Sequence, residues 1–319
     1  MTVLGLDVGH SAVKMSYRGK AGIERVIFPS VVSPAIAISD RSAADAAAND
    51  TVEVEGNKFF VGETAVHEAG ATQSSGLHHR WISSIEYKVL IQAAINIAMR
   101  DAGKIEMIVV GLPPVIMRER QLALRNLVST MTDADVRVFP EPSGVLYSVA
   151  INDDGVSIED APTNVGVIAV GRYTTDFMAL VDGKWMENAA GSVGGMSKAA
   201  ELLRRRLGEG GVHVDPIIAD QALRNKSLRH YGQDMDVSKP AEGAMQILVS
   251  SIIDGAARAF GDVESRLEAI YVAGGGADML MPTLAEQWPH LSPVESPRMA
   301  VAEGFRRVGE MRKLLAGAK

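Results

Sequence analysis

The stretch GLDVGHSAVK at residues 5–14 is the most informative segment of this chain. Its apolar start predicts a strand, Gly9 predicts a tight turn, and the residues after it predict a return strand. Glycine lets backbone N–H groups come close to a phosphate, and the Ser11 hydroxyl adds a further donor. Taken alone, the pattern fits an ordinary hairpin with a solvated Asp7 as well as a phosphate loop, because short glycine motifs are weak signals.

A second stretch, VIAVGRYTTD at residues 167–176, repeats this design far along the chain. An apolar strand again runs into a glycine, Gly171, and small polar residues and a second strand follow. The position that corresponds to Asp7 is occupied by Ala169. Two such hairpins facing each other predict a phosphate-binding site with one loop on each side. Because the second hairpin lacks the carboxylate, we expect the chemistry at the phosphate to be altered.

Two more glycine segments predict turns next to helices. Residues 191–195 (GSVGG) precede a predicted helix, and residues 274–276 (GGG) lie between a predicted strand and a helix. The N-terminus of a helix favours an anion through its free N–H groups and its dipole. Four glycine turns at strand ends of one chain therefore indicate a single nucleotide held from both sides. We expect Asp278 to cap the helix after the last glycines.

The composition excludes several classes of protein. The chain has 319 residues, 47% of them hydrophobic, so two domains and a large core are possible. The net charge of −7 argues against direct nucleic-acid binding, and the absence of cysteine excludes disulfides and thiolate zinc sites. Since no apolar run is long enough to span a membrane, we expect a cytoplasmic protein without membrane contact. His78 and His79 have no third ligand nearby and do not predict a metal site.

The order of predicted elements indicates two domains. The opening of strand, hairpin and helix occurs twice, and strands alternate with helices, which predicts an α/β fold. We predict domain I at 1–155, with a small insertion at about 29–80 and a completing C-terminal helix at about 299–319. Domain II is predicted at 163–298, with a small insertion at about 208–243.

Five segments in this order resemble the motifs of the actin-like ATPase superfamily. They are residues 5–14 and 168–176 as phosphate motifs, 140–144 and 299–309 as connecting motifs, and 272–278 as the adenosine motif. The compact length and the Thr-Thr-Asp run are most similar to the ParM/StbA plasmid-segregation proteins and their archaeal relatives. The resemblance implies two similar ribonuclease-H-like domains with a nucleotide cleft between them.

The resemblance also implies a function and partners. Members of this group are filament-forming ATPases that position plasmid DNA through an adaptor protein bound to centromere DNA. The implied cofactors are Mg²⁺ and ATP, with GTP left open. Two alternatives of the same fold remain: a small-molecule kinase, and an ATP-binding scaffold that does not hydrolyse its nucleotide.

Roles transfer only to matching positions. The resemblance implies that Asp7 binds Mg²⁺ through water and that Glu141 positions the attacking water, although Glu141 also fits a plain helix-start acid favoured by the dipole. The implied nucleotide-binding residues are Gly9, His10, Ser11, Lys14, Gly171, Arg172, Tyr173, Thr174, Gly191, Val193, Gly194, Gly195, Gly274, Gly275 and Gly276.

Ala169 departs from the Asp-x-Gly pattern of the family. Alanine neither accepts a side-chain hydrogen bond nor binds metal-bound water, so we expect nucleotide binding to persist and hydrolysis to be slow. Loss of one such electrostatic group commonly costs on the order of 10²–10³ in rate. Either alanine is natural here, with Asp7 and Glu141 carrying metal and water, or it was introduced to trap a nucleotide-bound filament. The otherwise intact motif slightly favours the second account.

Overall fold

The computed structural model describes residues 2–69 and 81–317. The chain divides into two compact units, the first formed by Met1–Ala161 with Met299–Lys319 and the second by Pro162–Arg298. The pair His78-His79 lies outside the described residues. Within the described part of the chain, no helix has both the length and the apolar character that crossing a membrane requires.

The first unit is built on a five-stranded mixed sheet with helices. Its elements are β1 (Thr2–Val8), β2 (Ala12–Arg18), β3 (Ile23–Pro29), β4 (Val32–Pro34), α1 (Arg41–Asn49), β5 (Thr51–Val54), β6 (Asn57–Val61), α2 (Gly62–Ala69), α3 (Ile85–Ala102), β7 (Ile105–Leu112), α4 (Pro114–Ser129), β8 (Asp135–Pro140), α5 (Glu141–Ala150) and, from the end of the chain, α10 (Ala300–Gly317). The sheet order is β3-β2-β1-β7-β8. Strands β1, β2 and β3 pair in antiparallel orientation, and strands β1, β7 and β8 pair in parallel orientation.

A small three-stranded sheet, β4-β6-β5, forms with α1 and α2 in the stretch after β3. The hairpin of β5 and β6 is the one that the sequence predicts around residues 55–57. The helices α1 and α2 were not predicted. In α1, Ser and Asp favour caps and turns, but the alanines between them are strong helix formers. Asp40 caps α1 by accepting a hydrogen bond from the Ala43 N–H at 2.8 Å.

The second unit repeats the same sheet topology. Its elements are β9 (Val165–Val170), β10 (Thr174–Val181), β11 (Lys184–Gly194), α6 (Met196–Glu209), α7 (Pro216–Asn225), β12 (Ser227–His230), β13 (Gln233–Asp236), α8 (Ser238–Phe260), β14 (Ala269–Ala273), α9 (Ala277–Gln287) and β15 (Leu291–Pro293). The sheet order is β11-β10-β9-β14-β15, with β9, β10 and β11 antiparallel and β9, β14 and β15 parallel. This duplication confirms the predicted α/β architecture with two similar sheet domains.

Each sheet has a face covered by helices. In the second unit, Ile168 on β9 and Phe177 on β10 are fully buried in a core that also contains Phe260 of α8. The rings of Phe177 and Phe260 meet edge to face with centroids 6.3 Å apart. Because successive side chains of a strand alternate between faces, the neighbours Ala169 and Asp176 point to the opposite face.

Candidate functional site

The first hairpin carries a close ion pair at the end of β1. Asp7 lies directly opposite Lys14 of β2, and the Lys14 Nζ donates to Asp7 Oδ2 at 2.9 Å. Both side chains are largely buried, with exposed fractions of 10% for Asp7 and 16% for Lys14. The pair fixes a carboxylate and an ammonium group beside the predicted phosphate loop.

The turn of this hairpin is anchored from one side. The Ser30 hydroxyl donates to the Gly9 carbonyl, and the Ser30 N–H donates to the Ser11 carbonyl at 3.2 Å. A Cβ added at Gly9 would lie 3.0 Å from the Lys14 Nζ, so the turn leaves little room for a side chain. Because the Gly9 and Ser11 carbonyl groups accept hydrogen bonds from Ser30, they point away from any anion that the loop binds.

Aromatic side chains connect this loop to α3. His10 stacks on Trp81 with ring centroids 4.9 Å apart, and Trp81 contacts Tyr87 of α3 edge to face at 5.6 Å. Burial raises the pKa of the Tyr87 hydroxyl far above its usual value, and the carboxylates of Glu141 and Asp7 raise it further. The structure thus brings Asp7 and Glu141, which are far apart in sequence, to the surroundings of one buried tyrosine.

The second hairpin has its loop bound to the start of α6. The carbonyl groups of Tyr173, Gly171 and Arg172 accept hydrogen bonds from the N–H groups of residues 195, 196 and 197, at 2.8, 3.1 and 2.7 Å. A Cβ at Gly195 would lie 2.5 Å from the Gly171 carbonyl oxygen, so only glycine allows this contact. The loop carbonyls therefore face the helix.

The glycine turn predicted over residues 191–195 was wrong. Gly191, Val193 and Gly194 belong to the strand β11 and pair with residues of β10. The first N–H groups of α6 bind the second-hairpin loop, so they cannot also bind an anion there. Nucleotide contact by Gly191, Val193, Gly194 and Gly195 stays a prediction.

Asp176 is a site residue that the sequence reasoning missed. The register places it directly opposite Ala169, just as Lys14 lies opposite Asp7. It is 3% exposed, and its Oδ2 accepts a hydrogen bond from the Thr174 hydroxyl at 2.9 Å. Its Oδ1 is buried beside Ser192 of β11 without a well-formed hydrogen bond. The second hairpin therefore has its carboxylate on the return strand.

Burial raises the pKa of Asp176 to about 6, although the Ser192 and Thr174 hydroxyls act in the opposite direction. A carboxyl group with such a pKa exchanges its proton near neutral pH, and groups of this kind are concentrated at functional sites. One sequence signal could have found it: Asp176 follows Ala169 by seven residues, the spacing of Lys14 from Asp7.

The loop of the second hairpin also presents a cation. The Arg172 guanidinium lies over the Tyr173 ring, with Cζ 5.6 Å from the ring centroid. Its Nε is buried and has no hydrogen-bond partner within the described residues. An unsatisfied buried donor is costly unless a further acceptor completes it, so this loop is suited to an anion.

The turn of residues 274–276 packs directly on the second hairpin. Gly274 has φ +95°, a conformation that favours glycine, and a Cβ there would lie 2.3 Å from the Val170 carbonyl oxygen. The same carbonyl accepts the Gly276 N–H at 3.2 Å. Gly275 is exposed with open space around its Cα. The expectation for Asp278 was wrong, because Gly276 is the N-cap of α9 and no side chain caps it.

The acids present fit a hydrated Mg²⁺ rather than a metal held by the protein alone. Among residues 2–69 and 81–317, no cluster of three or more His, Cys, Asp or Glu side chains could hold a metal ion. Mg²⁺ keeps several waters and uses one or two carboxylates together with substrate phosphates. Asp7 and Glu141, whose charges both act on the Tyr87 hydroxyl, supply acids in that number, with a nucleotide bringing the phosphates.

Comparison with known proteins identifies both halves of the chain. Residues 5–153 match the family of actin-like proteins, N-terminal domain, and residues 167–286 match the archaeal actin homologue MreB-like, C-terminal domain. Together these matches cover most of the chain. No curated protein sequence matches it.

Solved structures with the same fold cover nearly the whole chain. A subunit of a 15-stranded ParM filament from Clostridium botulinum has 20% identity and a TM-score of 0.80, covering 97% of this chain and 99% of its own. An archaeal actin homologue in complex with ADP has 21% identity and a TM-score of 0.75, covering 97% and 99%.

MreB5 of Spiroplasma citri bound to ADP has 14% identity and a TM-score of 0.71, covering 100% of this chain and 99% of its own. Such identities establish the fold and no more. Taken with the two family matches and the duplicated sheet, they place this chain in the superfamily of actin-like proteins.

Proposed function

We propose that this chain is a nucleotide-binding actin-like ATPase that assembles into filaments, with a slow hydrolysis step. The observation that carries the proposal is the pair of β-hairpins with identical register, each ending in a glycine loop whose carbonyl groups are held elsewhere. Loops of this kind direct backbone N–H groups at phosphate oxygens. The ADP-bound archaeal relative supports nucleotide binding, and the ParM filament supports assembly into filaments.

In the proposed site, each hairpin has a distinct role. Lys14 and Arg172 neutralise phosphate charge, one from each hairpin. Glu141, at the first turn of α5, orients the attacking water, and Asp7 is the residue that would hold Mg²⁺, through water, when the ion is bound. Mg²⁺, when bound with the nucleotide, would neutralise charge on the phosphates as the terminal bond breaks. ATP is the proposed nucleotide, and GTP is the alternative.

Ala169 is the proposed reason for slow hydrolysis. Replacing it with aspartate restores a carboxylate on β9, beside the existing Asp176 on β10. We expect Ala169→Asp to increase the rate of phosphate release on the order of 10²-fold. The measurement is single-turnover phosphate release from purified protein with ATP and Mg²⁺, with Ala169→Asn as the control of similar shape without the charge.

An unchanged rate in the Ala169→Asp variant would show that this position does not limit hydrolysis. The absence of any phosphate release from either protein, with nucleotide still bound, would instead favour a scaffold that binds ATP without turnover. Transfer of the terminal phosphoryl group to a sugar or a carboxylate acceptor would favour a small-molecule kinase.

Self-association is tested separately from hydrolysis. We expect light scattering to rise on addition of ATP and Mg²⁺ above a critical protein concentration, and filaments to be visible by negative-stain microscopy. Persistent monomers at high concentration with every nucleotide would contradict filament formation. Segregation of plasmid DNA through an adaptor bound to centromere DNA is the proposed cellular role. It predicts that a DNA-bound adaptor co-sediments with filaments, and that DNA alone does not.

A further inference from the structure

The second unit carries an exposed aromatic side chain on a tight hairpin turn. Tyr231 is 94% exposed and occupies the first position of the two-residue turn between β12 and β13. Its φ of +46° and the φ of +78° at Gly232 place both turn residues in the left-handed region. The first position of such turns is usually Asn, Asp or Gly, and a bulky residue rarely adopts this conformation.

An aromatic residue at this position brings no visible benefit inside its own chain. Its ring lies against the neighbouring His230 ring, with centroids 4.4 Å apart, and remains almost fully in solvent. The two-residue turn requires this conformation, as at Glu55-Gly56, so the unusual feature is the bulky aromatic residue that adopts it. Tyrosine is also among the side chains that most often dominate protein interfaces, because it combines a large apolar ring with a polar end.

The same unit contains an apolar pocket of a size that suits one side chain. It has a volume of about 340 Å³, and α9 and the segment that follows it line it with Met281, Pro282, Pro293, Val294 and Pro297. That volume is at the low end of the roughly 300–1,000 Å³ found for small-ligand sites. Asp278 is the charged residue that lines it.

The two surfaces carry opposite charges. Arg229 lies two residues before Tyr231 on the hairpin and is exposed, and Asp278 is exposed at the pocket. A tyrosine ring seated among the prolines would be flanked by an Arg229–Asp278 pair. Tyr231 is exposed in its own chain and does not fill the pocket there, so a second copy is the source of a tyrosine for it.

We propose that Tyr231 of one copy inserts into the Met281–Pro297 pocket of a second copy, with Arg229 facing Asp278. The contact joins two different surfaces, so every copy offers one of each and the association continues head to tail. This inference rests on the proposed filament function and assigns to it a specific contact between subunits.

The absence of cysteine in the chain allows a direct test by disulfide cross-linking. One protein carries Gln233→Cys, next to the turn that holds Tyr231, and another carries Ala285→Cys, at the pocket wall. We expect covalent dimers when the two are mixed under assembly conditions and oxidised, and none when either variant is oxidised alone. Cross-linking absent from the mixture, while both proteins still assemble, would overturn the contact.

Assembly assays give an independent measure. We expect Tyr231→Ala to raise the critical concentration for assembly by at least about tenfold, without changing the affinity for a fluorescent ATP analogue. Tyr231→Phe should retain most of the assembly, and Gln233→Ala, on the same hairpin, should retain all of it. Assembly of Tyr231→Ala at the wild-type concentration would refute the proposal.

A charge exchange separates this contact from the proposed function itself. Arg229→Asp and Asp278→Arg should each weaken assembly, and the double variant should recover it, since the reversed pair forms again between copies. Failure of the double variant to recover would count against this pairing. If the unmodified chain does not assemble with any nucleotide, the filament function fails; if it assembles and these variants behave like it, only the contact fails.

Discussion

At the scale of single residues, the two hairpins differ in where they carry charge. The first pairs Asp7 with Lys14 across the strands, whereas the second pairs Ala169 with Asp176. The first pair is neutral overall and is joined at 2.9 Å. The second has a single buried acid whose charge no cation balances across the strand pair. Alanine at position 169 therefore comes with a different electrostatic arrangement of the second hairpin, in which the charge lies on the opposite strand.

This difference predicts a pH-dependent stability. The pKa of Asp176 is raised from 3.8 to about 6, so the folded state binds more protons than the unfolded state between those values, and stability falls as pH rises through that window. Asp176→Asn removes the charge. Relative to this variant, we expect the unmodified chain to lose up to about 3 kcal/mol of stability between pH 4 and pH 7.

The measurement is urea unfolding of both proteins at a series of pH values. Asp262→Asn serves as the control, because Asp262 is an exposed acid of the same unit. A constant difference between the unmodified chain and Asp176→Asn over the whole range would mean that burial does not shift the proton equilibrium of this carboxyl group.

The candidate site was only partly predictable from sequence. The spacing within residues 5–14 was enough to predict the loop with Asp7 and Lys14 on its two strands. Asp176 required the strand register, which alone places it opposite Ala169. Trp81 and Tyr87 required the packing of α3 near the first hairpin, a contact between segments about 70 residues apart that no local pattern reveals.

At the scale of elements, small residues let the C-terminal helix approach the first unit closely. A Cβ at Gly304 of α10 would lie 1.7 Å from the Gly144 carbonyl oxygen of α5, and a Cβ at Gly5 of β1 would lie 2.0 Å from the Ala302 carbonyl oxygen. Both contacts are with backbone atoms, which cannot move aside by changing a side-chain rotamer. The helix therefore depends on glycine at each crossing.

Gly304→Ala is expected to lower the free energy of unfolding of the first unit by an amount of order 3 kcal/mol, because the added methyl group forces α5 and α10 apart. The matched control is Gly317→Ala on the same helix, where nothing lies within 4 Å of the added Cβ. Chemical denaturation compares the two variants. Equal stability of Gly304→Ala and the unmodified chain would show that the helices can separate at little cost.

A buried charge network also holds α10. Arg306 is fully buried, and its guanidinium donates to the Ser16 hydroxyl at 3.2 Å and to the Asp153 carbonyl at 2.9 Å. Burial alone would raise the pKa of Asp153, but the guanidinium groups of Arg307 and Arg306 hold it below its usual value. A buried arginine needs such partners, since an unpaired charge in this position would be strongly destabilising.

Element types were more predictable than their lengths. The helical spacing of apolar residues over 84–102 predicts a helix, and the glycine turns at residues 9 and 171 predict strand pairs. The structure confirms α3 and both strand pairs. The sequence predicts only a short strand near Trp185 at the place of β11, because three glycines between 191 and 195 favour a turn. An edge strand tolerates glycine there, where β10 supplies the pairing on one side.

At the scale of the whole molecule, the chain consists of one topology used twice. Both sheets place the hairpin with the glycine loop at strands one and two, followed by two parallel strands. The sequence predicted this duplication from the repeated order of strand, turn and helix, although the two halves share little identity. Duplication explains how corresponding positions diverged, since Asp7 and Ala169 occupy the same place in two copies of one design.

The proposed function predicts filaments with an unusually long life. If subunits leave the polymer mainly after hydrolysis, slow hydrolysis caused by Ala169 keeps the nucleotide intact and the polymer assembled. After ATP is removed enzymatically from preformed filaments, we expect light scattering of the unmodified chain to decay at least about tenfold more slowly than that of Ala169→Asp. With a non-hydrolysable ATP analogue, both proteins should decay at the same slow rate. Equal decay with ATP, despite faster phosphate release by the variant, would mean that hydrolysis does not control disassembly.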